Sequence, residues 1–228
     1  MKITVIVLTT VLVFGLPLAN ASTRNSKTDI RVVPSSAIPE MAQQPSQDLL
    51  LHSSNAGIPY LYLEQKQGAQ LTIFDVSDPA HIRLVTSVDT GVTKTYDFIQ
   101  SITSTLELIR FRDGSGGALL NLQKAKAPRF ESIERSLAEP VEMLGDSGYL
   151  AVSVQTKLRP VDLQGKDVQV VDTTDGSHLV ATVEGVTRTA ELSDTGTMFL
   201  LGSQGLTVVR RLSAEEQHAT EEMASSHN

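Results

Sequence analysis

The chain has 228 residues, no cysteine, 40% hydrophobic and 20% charged residues, and a formal net charge of −7. These values exclude a disulfide framework and a cysteine nucleophile. With no run of basic residues, they also argue against nucleic acid or an anionic membrane surface as a partner.

Residues 1–21 have the pattern of a secretory signal peptide. Lys2 gives the positive start, residues 3–16 an apolar stretch too short to cross a bilayer comfortably, and Pro17 interrupts it. Ala19-Asn20-Ala21 is a small-residue cleavage site, and no cysteine follows to carry a lipid. Cleavage after Ala21 makes a secreted or periplasmic protein the expected product, with a retained anchor as the alternative. Nothing after residue 21 approaches a transmembrane span, so no integral membrane span is expected once the signal is removed.

Residues 22–47 form an N-terminal segment rich in Ser, Pro and Gln, with one strand-like piece at 29–34 (DIRVVP). From residue 48 to residue 212 the chain falls into repeats of four short strands. The first repeat reads as strands at 48–52, 59–64, 70–76 and 82–88, with a turn at Asp75-Val76-Ser77-Asp78-Pro79 set by Asx side chains and proline. The second, more degenerate, has strands at 98–103, 106–111, 118–122 and 130–133. The third has them at 141–144, 149–155, 168–173 and 178–183, with a turn at Thr173-Thr174-Asp175-Gly176. The fourth has only three, at 187–192, 198–201 and 206–211. Residues 213–228 are a polar C-terminal tail with a capping-box pattern (Ser213, Glu216) but no apolar stripe, which reads as a frayed helix or a disordered tail.

The third strand of each repeat carries one cassette: LTIFD at 71–75, GALLN at 117–121, VQVVD at 168–172 and LTVVR at 206–210. Their spacing of about 45 residues is that of four-stranded propeller blades. The expected fold is therefore all-β, a small β-propeller of about four four-stranded blades. Residues 29–34 resemble the outer strand of the first repeat and are expected to supply the one missing from the last, closing the ring and removing a sheet edge. A linker role for residues 22–47 is the alternative. A β-sandwich, or a partial propeller completed by dimerisation, also stays open, as does the oligomeric state.

Residues 71–90, LTIFDVSDPAHIRLVTSVDT, resemble the LVIVD repeat of bacterial exported proteins: an apolar strand ending at Phe74-Asp75, then Val76-Ser77-Asp78-Pro79, a second strand, and a closing Asp89-Thr90. Residues 170–183 match in part, without the proline. The second and fourth repeats share only the apolar pattern, with Asn121 and Arg210 where aspartate would stand. The resemblance implies a propeller-like envelope or extracellular protein, and it brings no catalytic residues with it.

No G-x-S-x-G elbow or H-E-x-x-H helix occurs. The pairs Asp75/Asp78 and Asp172/Asp175 read as turn caps rather than metal ligands, since one such loop offers too few oxygens for Ca²⁺. His81 and His178, equivalent on outer strands, read as separate exposed histidines. The glycine-rich run 113–117 lacks the lysine of a phosphate loop and reads as a turn. No metal and no cofactor is expected.

The most suggestive constellation is cationic. Lys66, Arg110, Arg112, Lys157, Arg159 and Lys166 fall on the loops between second and third strands, and Lys94 and Arg188 on connections to the same face. Such a face could take an anionic ligand or another envelope or extracellular protein, although Asp113, Asp162 and Asp167 lie among these residues, as on an ordinary solvated loop. The long loop 156–167 is the strongest single recognition candidate. The expected function is an exported, non-enzymatic repeat protein that presents loops for binding at the cell envelope. One alternative is a metal-dependent hydrolase or lactonase-like propeller enzyme, using inner-strand carboxylates such as Asp97, Glu139, Glu142 and Glu191. Another is a structural envelope component.

Overall fold

The computed structural model describes residues 29–133, 141–143, 150–152, 165–172 and 178–225. The chain begins with strand β1 (Ile30–Val33), a single 3-10 turn and the short helix α1 (Glu40–Gln43). Strands β2 (Ser46–Ser53), β3 (Pro59–Gln65), β4 (Gln70–Asp75) and β5 (Arg83–Asp89) then form an antiparallel meander. A second meander follows: β6 (Tyr96–Thr103), β7 (Leu106–Phe111), β8 (Gly117–Asn121) and β9 (Arg129–Ile133).

In the third repeat, β10 (Val141–Met143) pairs with β11 (Leu150–Val152), and β12 (Lys166–Asp172) with β13 (His178–Val186). Among the described residues these are two separate two-stranded sheets rather than one four-stranded unit. The last sheet contains β14 (Arg188–Leu192), β15 (Thr197–Gly202) and β16 (Gly205–Arg211), and helix α2 (Leu212–Ser225) ends the described chain.

The fourth strand of that last sheet comes from the opposite end of the sequence. β1 runs antiparallel to β16, in register from Ile30 opposite Arg211 to Val33 opposite Val208. This is the partner that the strand-like residues 29–34 were expected to find. Among the described residues the framework is thus all-β, built from antiparallel sheets with two α-helices.

Two apolar cores explain why the first meander is apolar on both faces. Side chains alternate along a strand, so Leu61 and Leu63 of β3 face one way and Tyr60 and Tyr62 the other. The first pair joins Leu49, Phe74, Phe199, Leu206 and Val208 in a core shared with the last sheet. The second joins Leu71, Ile73, Tyr96, Ile109 and Leu120 in a core shared with the second meander. Each fully buried Leu, Ile or Phe contributes roughly 1.5–3 kcal/mol, so these two layers set the order of the sheets.

Of the two forms expected for the tail, the described residues take the helical one. Residues 212–225 form a helix whose first turn is held by the other terminus. Asp29 accepts hydrogen bonds from the Ser213 amide (2.8 Å) and hydroxyl (2.7 Å), and the Leu212 amide donates to the Asp29 carbonyl (2.9 Å). Arg210 adds an ion pair to Glu215 in the same turn. The cap therefore comes from Asp29, not from a Ser213–Glu216 box. No helix among the described residues is long and apolar enough to cross a membrane.

Candidate functional site

The first strands of three sheets each carry a charged residue near their start: Asp48 in β2, Asp97 in β6 and Arg188 in β14. β2 is in contact with both β6 and β14, which brings these three residues together. Arg188 donates from Nε to Asp48 Oδ1 (2.8 Å) and from Nη2 to Asp97 Oδ1 (2.9 Å), using the fork of its guanidinium to bridge two carboxylates. Arg112, just after β7, donates from Nε to the same Asp97 oxygen (2.9 Å) and from Nη2 to the Gln47 carbonyl (2.9 Å).

Asp48 also takes backbone donors. Its Oδ1 accepts the Leu49 amide (2.9 Å), and its Oδ2 accepts the Phe98 amide of β6 (2.8 Å). That amide lies on the unpaired edge of a sheet, where the carboxylate stands in for a missing neighbouring strand. Two buried aspartates and two arginines thus tie three sheets at one end of their first strands.

Glu64 lies beneath this network. It is fully buried, and neither carboxyl oxygen has a hydrogen-bond partner. Burial raises its pKa from the ordinary 4.5 to about 8. Arg112 and the nearby Gln47 amide oppose the rise, and Asp48 and Asp97 add to it. Burial likewise raises the pKa of Asp48, against the pull of Arg188. The Tyr96 hydroxyl is buried without a partner, and its pKa is pushed well up by desolvation, with Glu64 and Asp48 adding to it. Asp97 Oδ2 is a further buried, unpartnered oxygen.

A second polar group sits at the far end of β2 and β6. Ser101 Oγ donates to Glu107 Oε1 (2.5 Å), and His52 Nδ1 lies 3.5 Å from the same oxygen. His52 Nε2 is buried with no hydrogen-bond partner. The carboxylate here stands between the serine and the imidazole, so the serine is hydrogen-bonded to the carboxylate and not to the imidazole. This is not the order a nucleophilic triad requires.

The expected cationic face is dispersed. Arg110 lies within strand β7 and is buried, not on the following loop. Arg112 and Arg188 do meet, but in the network with Asp48 and Asp97. Lys94 pairs with Asp113 (3.0 Å), donates to Ser115 (2.7 Å) and lies over the Phe111 ring. The Asp113 pKa falls to about 2, through the Ser115 hydrogen bonds first and Lys94 second. Lys66 and Lys166 are exposed. Lys157, Arg159 and most of loop 156–167 lie outside the described residues, as do Glu139 and the Glu142 side chain.

The turn residues do what turn residues do. Asp75 Oδ1 accepts the Ser77 amide (3.0 Å), Asp78 Oδ1 the Ala80 amide (2.9 Å), and Asn121 Oδ1 the Gln123 amide (2.9 Å). Arg210 has taken the fourth cassette position for its ion pair to Glu215. His81 bonds Asp78 on the surface, and His178 is exposed.

The sequence reading missed Asp48, Glu64 and Glu107, because each stands inside an otherwise apolar strand. One signal was available: charged residues of opposite sign within the first three positions of three equivalent strands. The chain matches no protein-family model, and no curated protein matches it in sequence.

Proposed function

We propose that the chain is an exported, non-enzymatic repeat module of the LVIVD kind. It forms a small propeller closed by its N-terminal strand and presents loops for binding a protein or ligand at the cell envelope. The observation that carries this reading is the Asp48–Arg188–Asp97–Arg112 network. Charges that an enzyme would leave open toward a substrate are here spent on one another, across three sheets. Binding then falls to the cavity between the first strands and to exposed groups such as Lys66 and Lys94. The signal-peptide pattern supplies the compartment and the recurring cassettes supply the blade count.

The enzyme reading keeps one observation in its favour, the buried and unpartnered Oδ2 of Asp97 beside Glu64. Metal analysis of the purified chain separates the two. The module reading expects no stoichiometric divalent ion. A stoichiometric ion lost together with Asp97→Asn, accompanied by lactone or ester hydrolysis, would overturn it.

A further inference from the structure

Strands β2, β6 and β14 border a cavity of about 440 Å³, lined by residues 49–51, 98–101 and 189–191 together with Glu107. Consecutive rather than alternate residues of each strand line it, so the strands turn their edges toward it. Among the described residues each of these strands is hydrogen-bonded on one side only, to β3, β7 and β15 respectively. Apart from the Phe98 amide, which Asp48 takes, their other edges therefore offer backbone carbonyls and amides to whatever occupies the space.

The charge in this wall has one sign. Among the described residues Glu107 and Glu191 line the cavity, and no Lys or Arg does. At one end of the strands Asp48 and Asp97 are balanced by Arg188 and Arg112. Among the described residues the titratable groups beside Glu107 are the His52 imidazole, 3.5 Å away, and the Tyr62 phenol. Glu107 is 1% exposed and is fixed against the wall by the Ser101 hydroxyl. A carboxylate desolvated in this way favours a cation beside it. The donor set does not suit a metal ion: among the described residues no group of three or more His, Cys, Asp or Glu side chains could hold one. Strand-edge carbonyls beside two carboxylates instead suit a group with several N–H donors.

We propose that this cavity binds a small organic cation bearing a primary ammonium group. The ammonium lies against Glu107 and Glu191 and donates to the carbonyls of the strand edges. A cavity at the lower end of the size range of ligand pockets limits the occupant to a short amine. The inference rests on reading the chain as a ligand-binding module.

The test is calorimetric titration of the purified chain with 1,4-diaminobutane at physiological salt, where diffuse attraction to an acidic protein is screened. 1,4-Butanediol and succinate serve as the neutral and anionic probes. One saturable diamine site per chain is expected, with no heat from the diol or from succinate. Glu107→Gln and Glu191→Gln should each weaken the diamine by about tenfold, the loss of one charge-assisted contact. Glu191 is exposed, so its variant keeps the test decisive even where Glu107→Gln fails to fold. Absence of diamine binding, affinity unchanged by Glu191→Gln, or equal binding of succinate overturns the proposal. Failure with metal-free protein rejects the cavity assignment alone, whereas a stoichiometric divalent ion rejects the module reading beneath it.

Discussion

Glu64 places one part of this protein's pH dependence on a single buried side chain. Its pKa rises from 4.5 to about 8 on folding, chiefly through burial. Between these values the folded state holds a proton that the unfolded chain has released, so stability falls as pH rises through that window and is lowest above it. The neutral isostere removes the term. Glu64→Gln should flatten the profile between about pH 5 and pH 8 and gain on the order of a few kcal/mol at the alkaline end. Urea unfolding midpoints of both proteins at the two pH values check this, and parallel profiles would refute it. Gly68 is a backbone counterpart. It sits at φ +90°, and a Cβ there would lie 2.0 Å from the Lys94 carbonyl oxygen, whereas Gly57 at φ +75° has open space around it. Gly68→Ala should cost more than about 2 kcal/mol because strain and clash combine, and Gly57→Ala about 1 kcal/mol from strain alone. Equal thermal shifts for the two would show that the close approach to Lys94 carries no weight.

Most individual strands were legible in the sequence, and their partnerships less so. β3 and β4 announce themselves because both faces are apolar, and the Asp75-to-Pro79 turn is written in side chains that bond their own neighbours. The pairing of β1 with β16 could be anticipated because the last repeat lacked an outer strand and residues 29–34 looked like one. The helix α2 could not be anchored from its own residues. It has no apolar stripe, and the group that fixes its first turn is Asp29, 184 positions away. This makes one terminus the cap of the other. Asp29→Ala should cost about 1 kcal/mol, as losing a helix cap does, and should speed amide exchange across Leu212–Ser225 before it affects β4 or β8. The hydrogen bonds from Ser213, and then Arg211, hold the Asp29 pKa below its usual range. The cap is therefore present above that range and lost as pH falls through it, so acid should loosen α2 in the same way. Unchanged exchange in the helix would mean that the Arg210–Glu215 pair alone holds it.

At the scale of the molecule, the question is what makes several small sheets unfold as one. The apolar cores join neighbours in pairs, the first meander to the last sheet and the first meander to the second. Among the described residues the polar network is what reaches three sheets at once. Its members were invisible as a group because Asp48, Asp97 and Arg188 are scattered along the chain, and because an arginine near a loop reads first as a ligand for an external anion. Arg188 is the member that cannot be replaced by charge alone. Its Nε and Nη2 serve Asp48 and Asp97 at the same time, a span that the single ammonium of lysine does not reproduce. Arg188→Met leaves Asp48 buried without its cationic partner and Asp97 with Arg112 alone, and breaking a buried pair in this way costs about 3 kcal/mol or more. Arg188→Lys should recover less than half of that, and Asp48→Asn in the Arg188→Met background should restore part of it by removing one orphaned charge. The network also predicts the shape of the transition. With Arg188 gone, the last sheet loses its polar tie to β2 and β6 and is joined to the first meander chiefly by their shared apolar core, so the urea transition should broaden and its probes separate. β14 amides should then exchange earlier than those of β3. If Arg188→Met instead shifted the midpoint while leaving one sharp transition, the cores alone would be making the molecule cooperative. The network would then be a local ornament of the β2 edge.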